Sequence, residues 1–151
     1  FGILPEELLT PVLRIKGNHD FGTSNLPQQL VSRSLASGLY EKNLARVKRR
    51  YRAKAKAMTD AMGEHLSESA QWEQPEGGLN VWAVLPRKVN TGMKSDFFKK
   101  VLDRNVLYVP GGLCYVDDPT RAKPGHEMRL SFGAASEDDI REGIRRLGQV
   151  I

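Results

Sequence analysis

Arg129 sits inside an apolar run, Met128-Arg129-Leu130-Ser131-Phe132, and its type and placement point more directly to chemistry than any other side chain in the sequence. A strand sends successive side chains to opposite faces, so Met128, Leu130 and Phe132 share one face while Arg129 and Ser131 share the other. Arg129 then either reaches outward to water or is held to receive an anion, and the alternation alone favours water. The alternative is specific: a planar guanidinium fork can grip a carboxylate through two parallel hydrogen bonds, a geometry that lysine cannot reproduce. Other candidates carry less. His19, His65 and His126 lie far apart in unlike contexts without metal-ligand spacing, so no metal site is expected. Cys114, the only cysteine, has no partner for an internal disulfide. Between Leu113 and Tyr115 it reads as a small buried apolar side chain rather than a nucleophile. Gly77-Gly78 and Gly111-Gly112 flank strands, lack the lysine and hydroxyl of a phosphate loop, and read as turns.

The elements that must position Arg129 follow from periodicity. An opening strand, Phe1-Gly2-Ile3-Leu4, leads to a helix begun by Pro5-Glu6-Glu7, with proline in the first turn and acids at the positive end of the dipole. That helix is expected to be short, through Leu8, Leu9, Val12 and Leu13. The turn formers of 17–25 then make a loop, and Ser24 or Asn25 caps a second helix that buries Leu30, Val31 and Leu35 and stops near Gly38. From Tyr40, the positions Leu44, Val47, Tyr51, Ala55, Met58 and Met62 recur at steps of three and four, one stripe of a long helix. A polar break over 67–74 follows. Three short strands are expected at 79–85, 106–109 and 128–132, with a helix around 95–104 burying Phe97, Phe98, Val101 and Leu102. A polar loop spans 117–125. Ser136-Glu137-Asp138-Asp139 is a capping box that opens a last helix with Ile140, Ile144 and Leu147 on one side. The fold class is α/β (α+β): a small antiparallel-rich sheet with helices packed on one face.

With 151 residues, 40% hydrophobic and 27% charged, the chain has a globular composition and length enough for one packed core or two small ones. No stretch approaches the roughly 18 to 20 apolar residues that cross a bilayer. The start shows no basic region, apolar run and cleavage site. The expectation is a soluble, cytoplasmic protein without a membrane partner. The net charge of +5 would permit nucleic-acid binding, but much of the excess lies on the long helix, in Arg46, Lys48, Arg49, Arg50, Arg52, Lys54 and Lys56. About 100° per residue spreads these over nearly every direction outside the apolar stripe, as on a solvated helix surface with basic stems covering apolar ground. Because the chain opens at Phe1 inside an apparent strand, it reads as a piece of a longer protein.

Taken in order, these pieces resemble the C-terminal part of fold-type I aminotransferases that use pyridoxal phosphate, most closely the branch of 2-aminoadipate and kynurenine aminotransferases and MocR-type regulators. The most specific stretch is Gly38-Leu39-Tyr40-Glu41-Lys42-Asn43-Leu44-Ala45-Arg46-Val47-Lys48-Arg49-Arg50-Tyr51, which is similar to that branch's G-x-Y-x-x-H-L-x-x-h-R-x-x-Y helix, with Asn43 where histidine is usual. Gly77-Gly78-Leu79-Asn80-Val81-Trp82 is similar to a G-G-x-x-x-W strand and Val109-Pro110-Gly111 to V-P-G before the substrate loop. Met128-Arg129-Leu130-Ser131-Phe132 is similar to h-R-L-x-F, and the last helix to E-x-I-x-x-G-I-x-x-L. Each motif is weak alone; five in the right order are strong.

The resemblance implies roles that the residues alone do not establish. Arg129 occupies the position that binds the α-carboxylate of the amino or 2-oxo acid substrate. Thr23, Ser24 and Asn25 match a loop that approaches the partner subunit's cofactor site in a homodimer. Residues 1–38 would be the end of the large cofactor-binding domain, 39–66 a long linking helix, and 67–151 the small C-terminal domain. The Schiff-base lysine lies upstream of Phe1 in the family pattern, so no residue here is expected to be catalytic. The chain alone is expected to bind no pyridoxal phosphate and to be inactive. Nucleic acid becomes an improbable partner. An effector domain of a MocR-type regulator stays open as the alternative. Asn80 and Tyr115 are candidate lining residues. Leu8, Leu9, Leu13, Leu30 and Leu35, deprived of large-domain strands, should leave an apolar patch and drive self-association.

Overall fold

The computed structural model describes residues 2–151. The chain divides into two compact units, the first ending at Ala45 and the second running from Arg46 to Ile151. The first holds α1 (Glu6–Asp20), α2 (Asn25–Ala36) and the opening turns of α3 (Leu39–His65). Of the expected opening strand, Phe1 lies outside the described residues and 2–4 are not a strand; no strand among the described residues pairs with them, and a strand is held by its ladder. Helix α1 is longer than its sequence suggests. Lys16 pairs with Asp20 one turn on, and the Asp20 carboxylate accepts the Gly22 N–H at 3.0 Å. The helix therefore persists through 17–20 and ends at Phe21 in the left-handed conformation, φ 48°, which shortens the expected loop to 21–24. Neither α1 nor α2 contains a buried residue. Leu30, Val31 and Leu35, expected inside, are 59%, 58% and 49% exposed, because nothing in this unit covers the stripe they form.

Helix α3 begins past Gly38, whose φ of +70° makes the turn that glycine adopts without strain. Its apolar stripe sinks progressively: Leu44, Val47, Tyr51 and Ala55 are half-buried, and Met58 and Met62 are buried. Lys54, alone of the basic run, is half-buried, and its Nζ donates to the Gly133 carbonyl at 3.0 Å.

The second unit is a four-stranded sheet, order β1-β2-β4-β3, with β1 Gln71–Trp72, β2 Asn80–Val84, β3 Val109–Pro110 and β4 Glu127–Ser131. Every pairing is antiparallel. Helices α4 (Asp96–Asp103) and α5 (Glu137–Gly148) join the C-terminal half of α3 in one apolar core with the inner face of the sheet: Met58, Met62 and Leu66, Val81 and Ala83, Val101, Met128, Leu130 and Phe132, Ile140, Ile144 and Leu147. Each large side chain of this set contributes about 1.5 to 3 kcal/mol by leaving water. The capping box of α5 forms as expected, with Ser136 Oγ accepting the Asp139 N–H and the Asp139 carboxylate accepting the Ser136 N–H.

Several details depart from the sequence reading. Strand β1 lies inside the stretch expected to be a polar break. The strand expected at 106–109 is confined to Val109–Pro110, because Asn105 leaves α4 in the left-handed region, φ 57°, and 106–108 climb to the sheet before pairing begins. Leu102 is exposed, Phe97 and Phe98 are half-buried, and only Val101 of α4 is fully buried, since a two-turn helix presents few positions to a core. Cys114, expected inside, is exposed on a 3-10 turn, Gly111–Cys114.

Candidate functional site

The sheet covers its inner face with helices and leaves the other open. On β4 burial alternates strictly, with Met128 and Leu130 buried and Arg129 and Ser131 exposed. Across the ladder Trp82 of β2 stands opposite Arg129, and Val109 of β3 stands opposite it on the other side. Directly opposed residues share a face, so the guanidinium rises between an indole and a valine. Among the described residues the Arg129 side chain makes no hydrogen bond or ion pair. Its neighbours on the same face are Glu127, one pleat back along β4, and Ser131, one pleat on.

The 3-10 turn brings a second aromatic to this face. Tyr115 meets Trp82 edge-on, ring centroids 6.1 Å apart at 74°, and its hydroxyl donates to Glu127 Oε2 at 2.6 Å. That bond to a carboxylate holds the phenol above its ordinary value, because ionising Tyr115 would set two anions together. Behind the face, Thr91 Oγ1 lies within 2.7 Å of the Glu127 carbonyl and 3.1 Å of the Gly125 carbonyl, and the buried Tyr108 hydroxyl donates to the Thr91 carbonyl at 2.9 Å. Burial raises the Tyr108 phenol well above its usual range. The turn itself needs glycine: a Cβ at Gly111 would stand 2.7 Å from Glu127 Cβ and 2.8 Å from its carbonyl oxygen.

An open groove of about 810 Å³ adjoins this face. It is lined by Asn80, Trp82 and Val84 of β2, Gln71 of β1 and the 73–77 loop with Glu73 and Glu76. Arg129 is not among its walls; Trp82 is the residue the groove and the Arg129 neighbourhood share.

Arg129 therefore lies on the exposed face that the alternation assigned to it, and Tyr115 and Asn80 have side chains bordering the same face or its groove. Trp82 and Glu127 were not singled out by sequence reasoning. The signal for Glu127 was present, since Glu127, Arg129 and Ser131 share a parity; what brings Tyr115 onto it is a turn whose shape periodicity does not encode. Thr23, Ser24 and Asn25 belong to the first unit and are exposed. Thr23 Oγ1 accepts from Lys16 Nζ at 2.7 Å, Asn25 Oδ1 accepts from Gln29 at 3.4 Å, and Ser24 precedes α2 without a side-chain cap bond. No group of three or more His, Cys, Asp or Glu side chains converges among the described residues as a metal would need. No helix among them is long and apolar enough to cross a membrane.

Comparison with known proteins places this architecture. No family model matches the sequence. The 2-aminoadipate transaminase of Thermus thermophilus is 35% identical over 153 aligned residues, covering 100% of this chain. A helix-turn-helix-type transcriptional regulator of Bacillus subtilis is 30% identical over 97% of it. Among solved structures, the alpha-aminoadipate aminotransferase LysN from Thermus thermophilus, complexed with N-(5'-phosphopyridoxyl)-L-leucine, superposes with a TM-score of 0.80 at 32% identity over 98% of this chain and 36% of that one. Pyrococcus horikoshii kynurenine aminotransferase gives 0.80 at 28% identity over 96% and 34%. The chain spans about a third of the length of the curated aminotransferases it matches, 36% in the transaminase, and 29% of the regulator. Along its whole length the chain is similar to pyridoxal-phosphate-dependent aminotransferases, of which it spans about a third. The matches include 2-aminoadipate and kynurenine aminotransferases, with helix-turn-helix regulators beside them.

The residues present do not fit the whole cofactor. A pyridoxal phosphate site needs a lysine amine held where it can meet the aldehyde, and groups that hold the ring and phosphate. Here Lys16, Lys56, Lys99 and Lys123 are in ion pairs with Asp20, Asp60, Asp96 and Asp117. Lys54 is spent on the Gly133 carbonyl, and the other lysines are exposed. The Thr23 hydroxyl is engaged by Lys16.

Proposed function

We propose that this chain supplies the substrate-carboxylate site of an aminotransferase that moves an amino group from an amino acid to a 2-oxo acid. The observation that carries the reading is the unpaired Arg129 guanidinium on the open face, between Trp82 and Val109. Both substrates of such a reaction carry a carboxylate next to the reacting carbon, so one arginine fork serves the amino acid and the 2-oxo acid alike. Two parallel hydrogen bonds fix the direction of the carboxylate as well as its place, and so orient the bonds on the neighbouring carbon. In this family pyridoxal phosphate supplies the reversible amino-group carrier. By our reading it is held by parts of the complete protein other than these residues, and the 151 residues alone neither bind it productively nor transfer amino groups.

In the same reading 1–38 complete the large cofactor-binding domain, 39–66 link the domains, and 67–151 form the small domain. Thr23, Ser24 and Asn25 approach the partner subunit's cofactor site in a homodimer. The lone cysteine accords with a reducing, cytoplasmic setting. The similarity to a Bacillus subtilis regulator across 97% of this chain favours a second reading, in which Arg129 holds an amino-acid effector and a DNA-binding segment lies elsewhere in the protein. Nucleic-acid contact by these 151 residues themselves forms no part of either reading. A winged-helix segment in the complete sequence would decide for the regulator.

The test is Arg129→Lys and Arg129→Gln in the complete protein. A hydrogen bond to a charged group contributes about 1.5 to 3 kcal/mol, so kcat/KM should fall roughly ten- to a hundredfold for both substrates. Unchanged kcat/KM values for both substrates would overturn the assignment. For the chain alone, pyridoxal phosphate followed by borohydride reduction should leave no single-site adduct by mass; one lysine modified specifically would show that these residues do contain a cofactor lysine.

A further inference from the structure

Arg129 shares its face with a competitor. Glu127 lies two residues back on β4, about 7 Å away along the strand, a gap that a glutamate and an arginine side chain together can close. A pair so placed at the surface would ordinarily find each other, and a guanidinium already paired would be a poorer receptor for a substrate carboxylate. In this structure the two are not paired. Glu127 Oε2 instead accepts the Tyr115 hydroxyl at 2.6 Å, a short bond of the charge-assisted kind. Tyr115 is itself held by its edge contact with Trp82 and by the 3-10 turn, which begins at Gly111 against the Glu127 backbone.

We infer that Tyr115 is a positioning residue that draws Glu127 away from Arg129 and so keeps the guanidinium open to the substrate carboxylate. The inference rests on the carboxylate-binding reading of Arg129 and deepens it. Glu127 gains a hydrogen-bond donor that carries no charge, so its negative charge remains on the face without being spent on the arginine. Trp82 has a double part, standing across the ladder from Arg129 and bracing the tyrosine that restrains Glu127.

The experiment uses the complete, cofactor-loaded protein and compares Tyr115→Phe, the double variant Tyr115→Phe/Glu127→Gln, and Arg129→Gln. Phenylalanine keeps the ring against Trp82 and removes only the hydroxyl. With Glu127 released onto Arg129, KM for both substrates should rise roughly two- to fivefold, the scale of a partly exposed ion pair, with kcat little changed. The dissociation constant of 3-phenylpropionate, a carboxylic acid without the reacting amino group, should rise in parallel by calorimetry. Adding Glu127→Gln should bring both back towards the starting values, because the competitor has lost its charge. A double variant as weak as Tyr115→Phe would mean that Tyr115 merely fastens the turn, and would overturn the inference, as would a Tyr115→Phe variant with unchanged KM while Arg129→Gln is impaired. Unchanged binding in Arg129→Gln would instead remove the underlying reading of Arg129.

Discussion

The two units of this chain both carry apolar helix stripes and use them differently. Among the described residues all seventeen buried apolar ones lie in the second unit. In the first, Leu8, Leu9, Leu13, Leu30 and Leu35 are between 47% and 59% exposed, although α1 and α2 have the leucine spacing of helices that pack. An amphipathic stripe is a statement about a partner, and a sequence can state it in full while the partner lies outside the unit. The second unit answers its own stripes: α3, α4 and α5 meet the inner face of the sheet. It leaves open the face that bears Arg129, Trp82 and Glu127, where the exposed strand positions Asn80, Arg129 and Ser131 are polar, while its exposed aliphatic residues, among them Leu102, Leu107, Leu113 and Val116, lie outside the strands.

The sharpest way to break this contrast is to cut the same kind of side chain from each unit. Phe132 is 1% exposed at the centre of the core, and Phe132→Ala should cost about 3 to 5 kcal/mol in denaturant unfolding of the chain. Leu30→Ala in the first unit should stay within about 0.5 kcal/mol, as for a substitution away from packed features. Comparable losses would mean that α2 is buried in solution and that the two units are not so different.

A second test concerns what the uncovered stripes do. Aliphatic faces of this kind, where they form contiguous patches, usually find a partner, so the isolated 151-residue chain should self-associate at micromolar concentration in sedimentation. Leu9→Glu together with Leu30→Glu should shift it towards monomer, whereas equivalent glutamates at Arg129 or Ser131 on the open sheet face should not. A monodisperse wild-type monomer would contradict the expectation.

How much of this was legible in the sequence differs between the units for the same reason. The α3 stripe, β2, β4 and the α5 capping box were readable because periodicity and capping are local, and the elements they form are satisfied within the unit. Arg129 was placed on the outer face by parity alone, and only the family resemblance gave that face a purpose. What could not be read depended on contacts distant in sequence. Strand β1 is a two-residue edge between Ala70 and Glu73, held only by Val84 and Ala83 across the ladder. Strand β3 starts late because of one left-handed Asn105. The approach of Tyr115 to Glu127 spans twelve residues and a turn, and Cys114, in an apolar sequence context, is carried outward by that same turn. The extension of α1 through 17–20 was a local failure: helix-weak residues were retained by the Lys16 pair with Asp20.

The smallest expected effect lies on the surface of the second unit. Glu142 on α5 accepts from Arg145 Nε at 2.7 Å and Nη2 at 2.8 Å, and from Arg146 Nε at 2.7 Å. The Arg145 hydrogen bonds, with those of Arg146, hold its carboxyl down from 4.5 to about 2. A carboxyl depressed in the folded state stabilises the fold above its unfolded value and loses that contribution as pH falls through the folded one. Wild type should therefore exceed Glu142→Gln in unfolding free energy at neutral pH, and the difference should fade between about 4.5 and about 2. Because the group is exposed, the margin should be far below that of Phe132→Ala and should shrink with added salt. In the first unit the comparable pair is Lys16 with Asp20, whose carboxyl is lowered chiefly by the Lys16 hydrogen bond. Asp20→Asn should leave the cooperative unfolding of the second unit unmoved at every pH. A difference between wild type and Glu142→Gln that persisted unchanged to pH values below that window would show that the two arginines do not grip Glu142 in solution, and would leave the core alone to account for the stability of the second unit.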